Sequence, residues 1–256
     1  VTHVGGPTVV LELDGWRILT DPTFDAPGGT YGFGWGTSSK KTGAPAVAAE
    51  DVGPVDLVLL SHDHHADNLD VRGRALLDEA PKVLTTRPGA RRLALPSVQG
   101  LRPGEVVHLD HPDRPTLRVR ATPCRHGPPL SRPIAGAVVG FELQTEDRPG
   151  SVWMTGDTVL HRSLRRTAAE LGVDVLLAHL GQVQFGFTGP LRYSMSSEDA
   201  IELVELTRPR VVVPVHYEGW SHFSEPVEHA RATFARAAER SSTTTCWLEP
   251  GVPTSV

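Results

Sequence analysis

Apolar and polar positions alternate along "TVVLEL" and "WRILT", and the Asp14-Gly15 pair between them favours positive φ, so residues 8–20 predict a β-hairpin. The pattern then changes character. "VDLVLL" at 55–60 is apolar almost throughout, as a strand covered on both faces would be. Further strands are predicted at "KVLTT", "GEVVHL", "TLRVRATPC", "GAVVGFELQT", "SVWMTGD", "VDVLLAHL" and "RVVVPVH". Helices are predicted at "VRGRALLDEA", from about His161 to Leu171, and at "SSEDAIELVEL", where Ser196 and Asp199 form a weak capping box. The late "SEPVEHARATFARAAER" reads as a solvated amphipathic helix. Strands dominate first, then strand and helix alternate. That order suits two mixed sheets packed face to face with helices outside, and with no linker or repeat in sight, one domain spans 1–256.

One stretch resists this rhythm. "PTFDAPGGTYGFGWGTSSKKTGAP", residues 22–45, has little periodicity, and loops of this length are functional or disordered. Tyr31, Phe33 and Trp35 sit there among glycines, as a substrate lid, an irregular core cover or a dimer contact.

Composition narrows the function. Apolar content of 39% and charged content of 21% allow a sizeable core in a soluble protein. A net charge of −5 argues against a protein that holds bulk nucleic acid through its phosphates. No stretch of apolar residues is long enough to span a bilayer, so no membrane partner is expected. Two cysteines, Cys124 and Cys246, give no disulfide framework, which points to the cytoplasm.

The candidate chemistry lies where apolar runs end. "VLLSHDHHADN" offers His62, His64 and Asp67; "RATPCRHG" offers His126; "SVWMTGDT" offers Asp157; "VVVPVHYEGW" offers His216. Strand ends position side chains rigidly, and several imidazoles with carboxylates form a borderline-soft donor set. It suits Zn(II), with Mn(II) and Fe(II) as the other ions it admits, one or two in number. Each residue also has an ordinary structural use: the His-Asp knot as a polar turn, Asp157 as a capping aspartate, Cys124 as a buried inert thiol. The remaining His3, His108, His111, His161 and His229 read as surface or loop residues.

Taken in order, His-x-His followed by Asp, a later His, "TGDT" and "PVH" resemble the metallo-β-lactamase superfamily of hydrolases. "GGPTVVLELDGWRILTDPTF" and "MSSEDAIELVELTRPRVVVPVHYEGW" resemble its branch containing L-ascorbate-6-phosphate lactonase and the N-acyl-phosphatidylethanolamine phospholipase D-like enzymes. The resemblance implies an αββα sandwich with metal at the edge of the two sheets. It also implies one metal site of His62, His64 and His126, a bridging Asp157, and a second site of Asp67 and His216. This chain departs from the pattern, with one extra residue before Asp67 and Asn68 in place of a final His. His65 is then a neighbour of the ligands that could rotate in as a substitute.

The chemistry expected is hydrolysis of a small ester, lactone, amide or phosphodiester by metal-bound hydroxide. Asp67 would orient the attacking oxygen, and His179 or His222 would protonate the leaving group. Few basic residues lie near the motifs, chiefly Arg125 and Arg192, which favours a neutral or weakly charged small-molecule substrate. The alternatives are a catalytically weak or inactive metal-binding module, motivated by Asn68, and a phosphodiesterase or nuclease.

Overall fold

The computed structural model describes residues 1–34, 36–184 and 189–256. Along the chain come β1 (Thr2–Gly5), β2 (Thr8–Leu13), β3 (Trp16–Thr20), β4 (Thr30–Gly34), β5 (Thr37–Lys40), β6 (Leu57–Leu59), α1 (Val71–Leu76), β7 (Val83–Thr86), α2 (Arg87–Leu93) and β8 (Val98–Leu101). Then follow β9 (Val106–His111), β10 (Arg114–Pro123), α3 (Arg132–Ala135), β11 (Val139–Thr145), β12 (Ser151–Met154) and α4 (Arg162–Glu170). The last elements are β13 (Val173–His179), α5 (Ser197–Thr207), β14 (Val211–Val215), α6 (Val227–Ala238) and β15 (Thr244–Thr245).

Two sheets carry the fold. The first runs β1-β2-β3-β6-β7-β8, antiparallel through β3 and parallel from there on. The second runs β15-β14-β13-β12-β11-β10-β9, parallel from β15 to β12 and antiparallel from β12 to β9. Both sheets are therefore mixed. The switch from hairpins to crossovers coincides with the point where the sequence changes from alternating to continuously apolar strands.

The period of two in a strand explains the layers. Leu57 and Leu59 of β6 face inward and join Ile18 and Leu84 against Phe141, Leu143, Val175 and Leu177 of the other sheet. Val58 and Leu60 face outward and pack with Leu77 and Ala80. Likewise Leu176 and Val212 face outward, under Leu164, Leu203 and Phe234 of α4, α5 and α6. Helix, sheet, sheet and helix stack in that order, an αββα sandwich.

Local signals hold in several places. Asp14 (φ 47) and Gly15 (φ 86) form the β2–β3 turn. Ser196 and Asp199 close both halves of the capping box on α5. α6 is not merely solvated, because Ala230, Thr233 and Phe234 bury its inner face. Two expectations need correction. The aperiodic stretch contains a hairpin, β4–β5, anchored by the buried Lys41–Asp70 ion pair at 2.8 Å. His3 is neither a surface nor a loop residue but is buried in β1 with its Nε2 3.0 Å from the Gly6 carbonyl, while His161 lies in the loop before α4 as expected, though buried. Trp35 lies outside the described residues. Among the described residues, no helix is long and apolar enough to cross a membrane.

Candidate metal centre

Seven of the side chains singled out in the sequence meet at one edge of the sandwich, delivered by both sheets. The first sheet supplies His62, His65, Asp67 and Asn68 from the loop after β6. The second supplies His126 after β10, Asp157 after β12 and His216 after β14. All are buried. Two groups of three result, His62–His65–His126 and Asp67–Asp157–His216, with the donor atoms of each within 4.8 Å of one another.

In the nitrogen group, His65 Nδ1 lies 3.2 Å from His62 Nε2 and 3.2 Å from His126 Nε2. Partners on the far side of two rings hold them in place. His126 Nδ1 donates to the Tyr193 carbonyl at 2.6 Å, which leaves its Nε2 lone pair facing the group. His62 Nδ1 lies 3.0 Å from Ser61 Oγ. Burial, together with neighbouring imidazoles, holds His62 well below the ordinary imidazole range. Burial also lowers His65 to about 4 and His126 to about 3, so all three present unprotonated nitrogens at neutral pH.

His64 does not join them. Its side chain turns outward, with Nδ1 3.1 Å from Arg92 Nη2 and 3.7 Å from Asp63 Oδ1. An arginine only donates, so that nitrogen accepts from Arg92. The extra residue in "HDHHADN" is the reason: the chain turns through it, and His65 faces the position expected of His64.

The oxygen group is built differently. Asp67 Oδ2 lies 3.3 Å from His216 Nε2 and 3.0 Å from His222 Nε2, while Oδ1 has no hydrogen-bond partner. Burial opposes its ionisation, but hydrogen bonds from His216 and His222 hold the Asp67 carboxyl well below the carboxylate range. Both oxygens of Asp157 also lack a hydrogen-bond partner. Burial pushes its pKa up to about 7, although the His216 imidazole 3.4 Å away opposes this. Burial alone would lower His216, but Asp157 and Asp67 override it and raise the ring to about 9. His216 sits at φ 58, held there as its N–H donates to the Gly6 carbonyl at 2.8 Å. Gly156 precedes Asp157 at φ 64, where a Cβ would come 2.8 Å from the Val139 carbonyl, so the "TGD" turn requires glycine.

Asn68 has a defined orientation. Its Nδ2 donates to Asp21 Oδ2 at 3.3 Å and to Ser61 Oγ at 3.4 Å, and its Oδ1 is buried without a partner. The reverse orientation would set an amide oxygen against a carboxylate. Asp21 had no assigned role in the sequence, although it too ends an apolar strand, β3. Its Oδ1 accepts from Ser61 N–H at 2.6 Å, and its Oδ2 lies 3.5 Å from His179 Nε2. His179 is therefore set behind the cluster, whereas His222 touches Asp67 directly. Ser39 Oγ lies 2.6 Å from His222 Nδ1, and Phe33 packs edge-on against His65 and His222. The hairpin β4–β5 thus forms one wall. Cys124 stays out, its thiol donating to the Thr155 carbonyl at 3.0 Å and raised by burial. Arg192 is engaged with Ser196 and Asp199. A third group, Glu198–Glu225–His229, is drawn from α5, the loop before α6 and α6, and its Glu225 accepts from Ser197 N and Oγ at the start of α5.

The donor set fits a divalent cation. Two nitrogens each ~2.0–2.1 Å from one zinc at a tetrahedral angle lie roughly 3.3–3.4 Å apart, close to both contacts of His65. The four unpartnered buried oxygens of Asp67, Asn68 and Asp157 are costly in a protein interior unless a cation or donor meets them.

The family described as "Beta-lactamase superfamily domain" matches residues 16–217. A UPF0173 metal-dependent hydrolase of Symbiobacterium thermophilum is 29% identical over 259 residues, covering 98% of this chain and 97% of its own. One from Opitutus terrae is 28% identical over 225 residues, with 85% and 84% covered. The fold is shared with the isothiocyanate hydrolase from Delia radicum gut bacteria (TM-score 0.80, 19% identity, 100% and 98% covered). It is shared also with Igni18, a metallo hydrolase of Ignicoccus hospitalis (TM-score 0.71, 23% identity, 98% and 95% covered). The diiron β-hydroxylase CmlA of Streptomyces venezuelae matches at TM-score 0.67 and 16% identity, covering 96% of this chain and 52% of its own.

Proposed function

We propose that this chain, which belongs to the beta-lactamase superfamily and is a metal-dependent hydrolase, cleaves a small ester, lactone, amide or phosphodiester at the cluster described above. The observation that carries the reading is a buried group of three neutral imidazoles and, delivered likewise by strand-end loops, a second buried group with unpartnered carboxylate and amide oxygens. His62, His65 and His126 would hold one cation, and Asp67, Asp157, Asn68 and His216 a second. A cation there supplies Lewis acidity toward water and toward the substrate's carbonyl or phosphoryl oxygen.

The chain's own residues do the rest. Asp67 is anionic, and its free Oδ1 can orient an incoming water and accept its proton. For His222 Nε2–H to donate to Asp67, its Nδ1 must accept from the Ser39 hydroxyl, which fixes the tautomer. His222 then carries a proton beside the site and is the better donor to a leaving group. His179, set against Asp21, positions the loop that carries Asn68. Phe33 keeps bulk water from the nitrogen group. The resemblance of the opening hairpins to lactonase and phospholipase D-like enzymes leaves carboxylic and phosphoric esters both open.

The test is metal analysis of the purified protein together with turnover of generic esters, lactones, amides and bis-p-nitrophenyl phosphate. Turnover that is lost with a chelator and restored by zinc, manganese or iron supports the reading. Tight metal binding with no turnover on any class would instead leave a binding module.

A further inference from the structure

His126 also lines a second feature. A cleft of about 510 Å³ opens beside it, bordered by Arg87 and Arg91 of α2, Arg102 after β8, Arg125 next to His126, and Arg132 at the start of α3. No Asp or Glu lines it. In a chain of net charge −5 this is a local excess of the opposite sign. Elsewhere several arginines are matched with carboxylates, as in Arg148–Asp14, Arg165–Glu202 and Arg210–Asp174. In the cleft, only Arg87 has an ion-pair partner, Glu105. Arg125 Nε donates to the Gly127 carbonyl at 3.2 Å. The guanidinium groups of Arg91, Arg102 and Arg132 make no ion pair among the described residues.

Like charges gathered without counter-charges repel one another, and an anion relieves that repulsion. Guanidinium forks also match the geometry of carboxylate and phosphate oxygens. Between the arginines the wall is apolar, with Leu101, Val138 and Val139. A small organic molecule with an apolar body and an anionic end fits both parts.

We propose that this cleft is the anion subsite of the hydrolase, binding a carboxylate or phosphate group of the substrate among Arg91, Arg102, Arg125 and Arg132 while the scissile bond lies on the His126 side. The proposal rests on the hydrolase reading and replaces the neutral substrate expected from sequence. Only Arg125 is near a motif in the chain; the other arginines reach His126 through the fold.

The experiment compares the metal-loaded full chain with its Arg91→Gln/Arg132→Gln variant. Calorimetric titration uses inorganic phosphate in one arm and acetate in the other. At least one anion should bind the parent protein, at least ten-fold more weakly in the variant, with affinity falling as salt rises. The tighter anion identifies the group. In parallel, the ratio of kcat/KM for a carboxylate-bearing ester to that for its neutral analogue should fall at least ten-fold. Both exchanged residues are exposed, and Arg102→Gln provides an independent variant. Equal anion binding by all three proteins and an unaltered kcat/KM ratio would overturn the subsite. Absence of turnover on every ester would overturn the hydrolase reading instead, since the titration reads the cleft without catalysis.

Discussion

The two halves of the metal centre face each other, yet they differ in donor chemistry and in how they hold protons. The nitrogen half is three imidazoles whose burial keeps them unprotonated. The oxygen half has two carboxylates, an amide oxygen and one imidazole whose carboxylate neighbours favour its protonated form, so a cation seated there must displace that proton. Nitrogen donors suit zinc, whereas an oxygen-rich set with one imidazole suits harder ions such as manganese or ferrous iron. One pocket can therefore present two different preferences. Asn68 decides the difference, because a histidine in its place would bring the halves closer in character.

The comparison can be broken most forcefully by His126→Ala. Loss of one nitrogen ligand should remove the ion of that half and lower kcat/KM by roughly 10³-fold or more, with metal analysis showing the matching loss. Next, Asp157→Asn should empty the oxygen half alone and cost on the order of 10²-fold; equal loss of both ions would show that the halves are not separable. Exchange of His65 for Gln should weaken metal binding by at least the roughly 10–100-fold expected for a supporting residue, while His64→Gln should stay within about 3-fold. If His64→Gln proves the more damaging, the geometry that pairs His64 with Arg92 is wrong.

Acid should separate the halves in order. A cation competes with protons for each ligand, so its affinity falls as pH drops below the ligand's own pKa. In the oxygen half two of those values are raised, to about 9 for His216 and about 7 for Asp157, while that of Asp67 is held low. In the nitrogen half they are lowered, to about 4 for His65 and about 3 for His126. Equilibrium dialysis across this range should show the oxygen half losing its ion first, and simultaneous release would contradict the assignment. A change of preference and not a loss is expected of Asn68→His, which should shift the second ion toward zinc over manganese by roughly 5- to 10-fold, measured by competitive binding.

Much of this was legible in the chain. Strand ends marked His62, Asp157 and His216, because a strand covered on both faces is continuously apolar up to the residue that leaves the sheet, and His126 follows the alternating β10 in the same way. The choice between His64 and His65 was not legible. Two adjacent imidazoles differ only in which way one extra residue turns the loop, and that depends on Asp63 and Arg92, 29 residues apart in the chain and paired at 2.8 Å only by the fold. Asp21 and Ser39 escaped for a related reason: each acts through neighbours that are distant in sequence. The hairpin β4–β5 was hidden because its glycines blur the period of two, and its hold comes from Lys41 and Asp70 rather than from patterning.

Ligands for the same pocket come from opposite sheets, so an ion seated there is a rivet through the sandwich as well as a reagent. Whatever binds the assembled pocket and not the open chain stabilises the whole fold by mass action. Stripping the rivet should then loosen the joint between the sheets along the edge where His62 and His216 meet, far more than it disturbs the helices stacked outside.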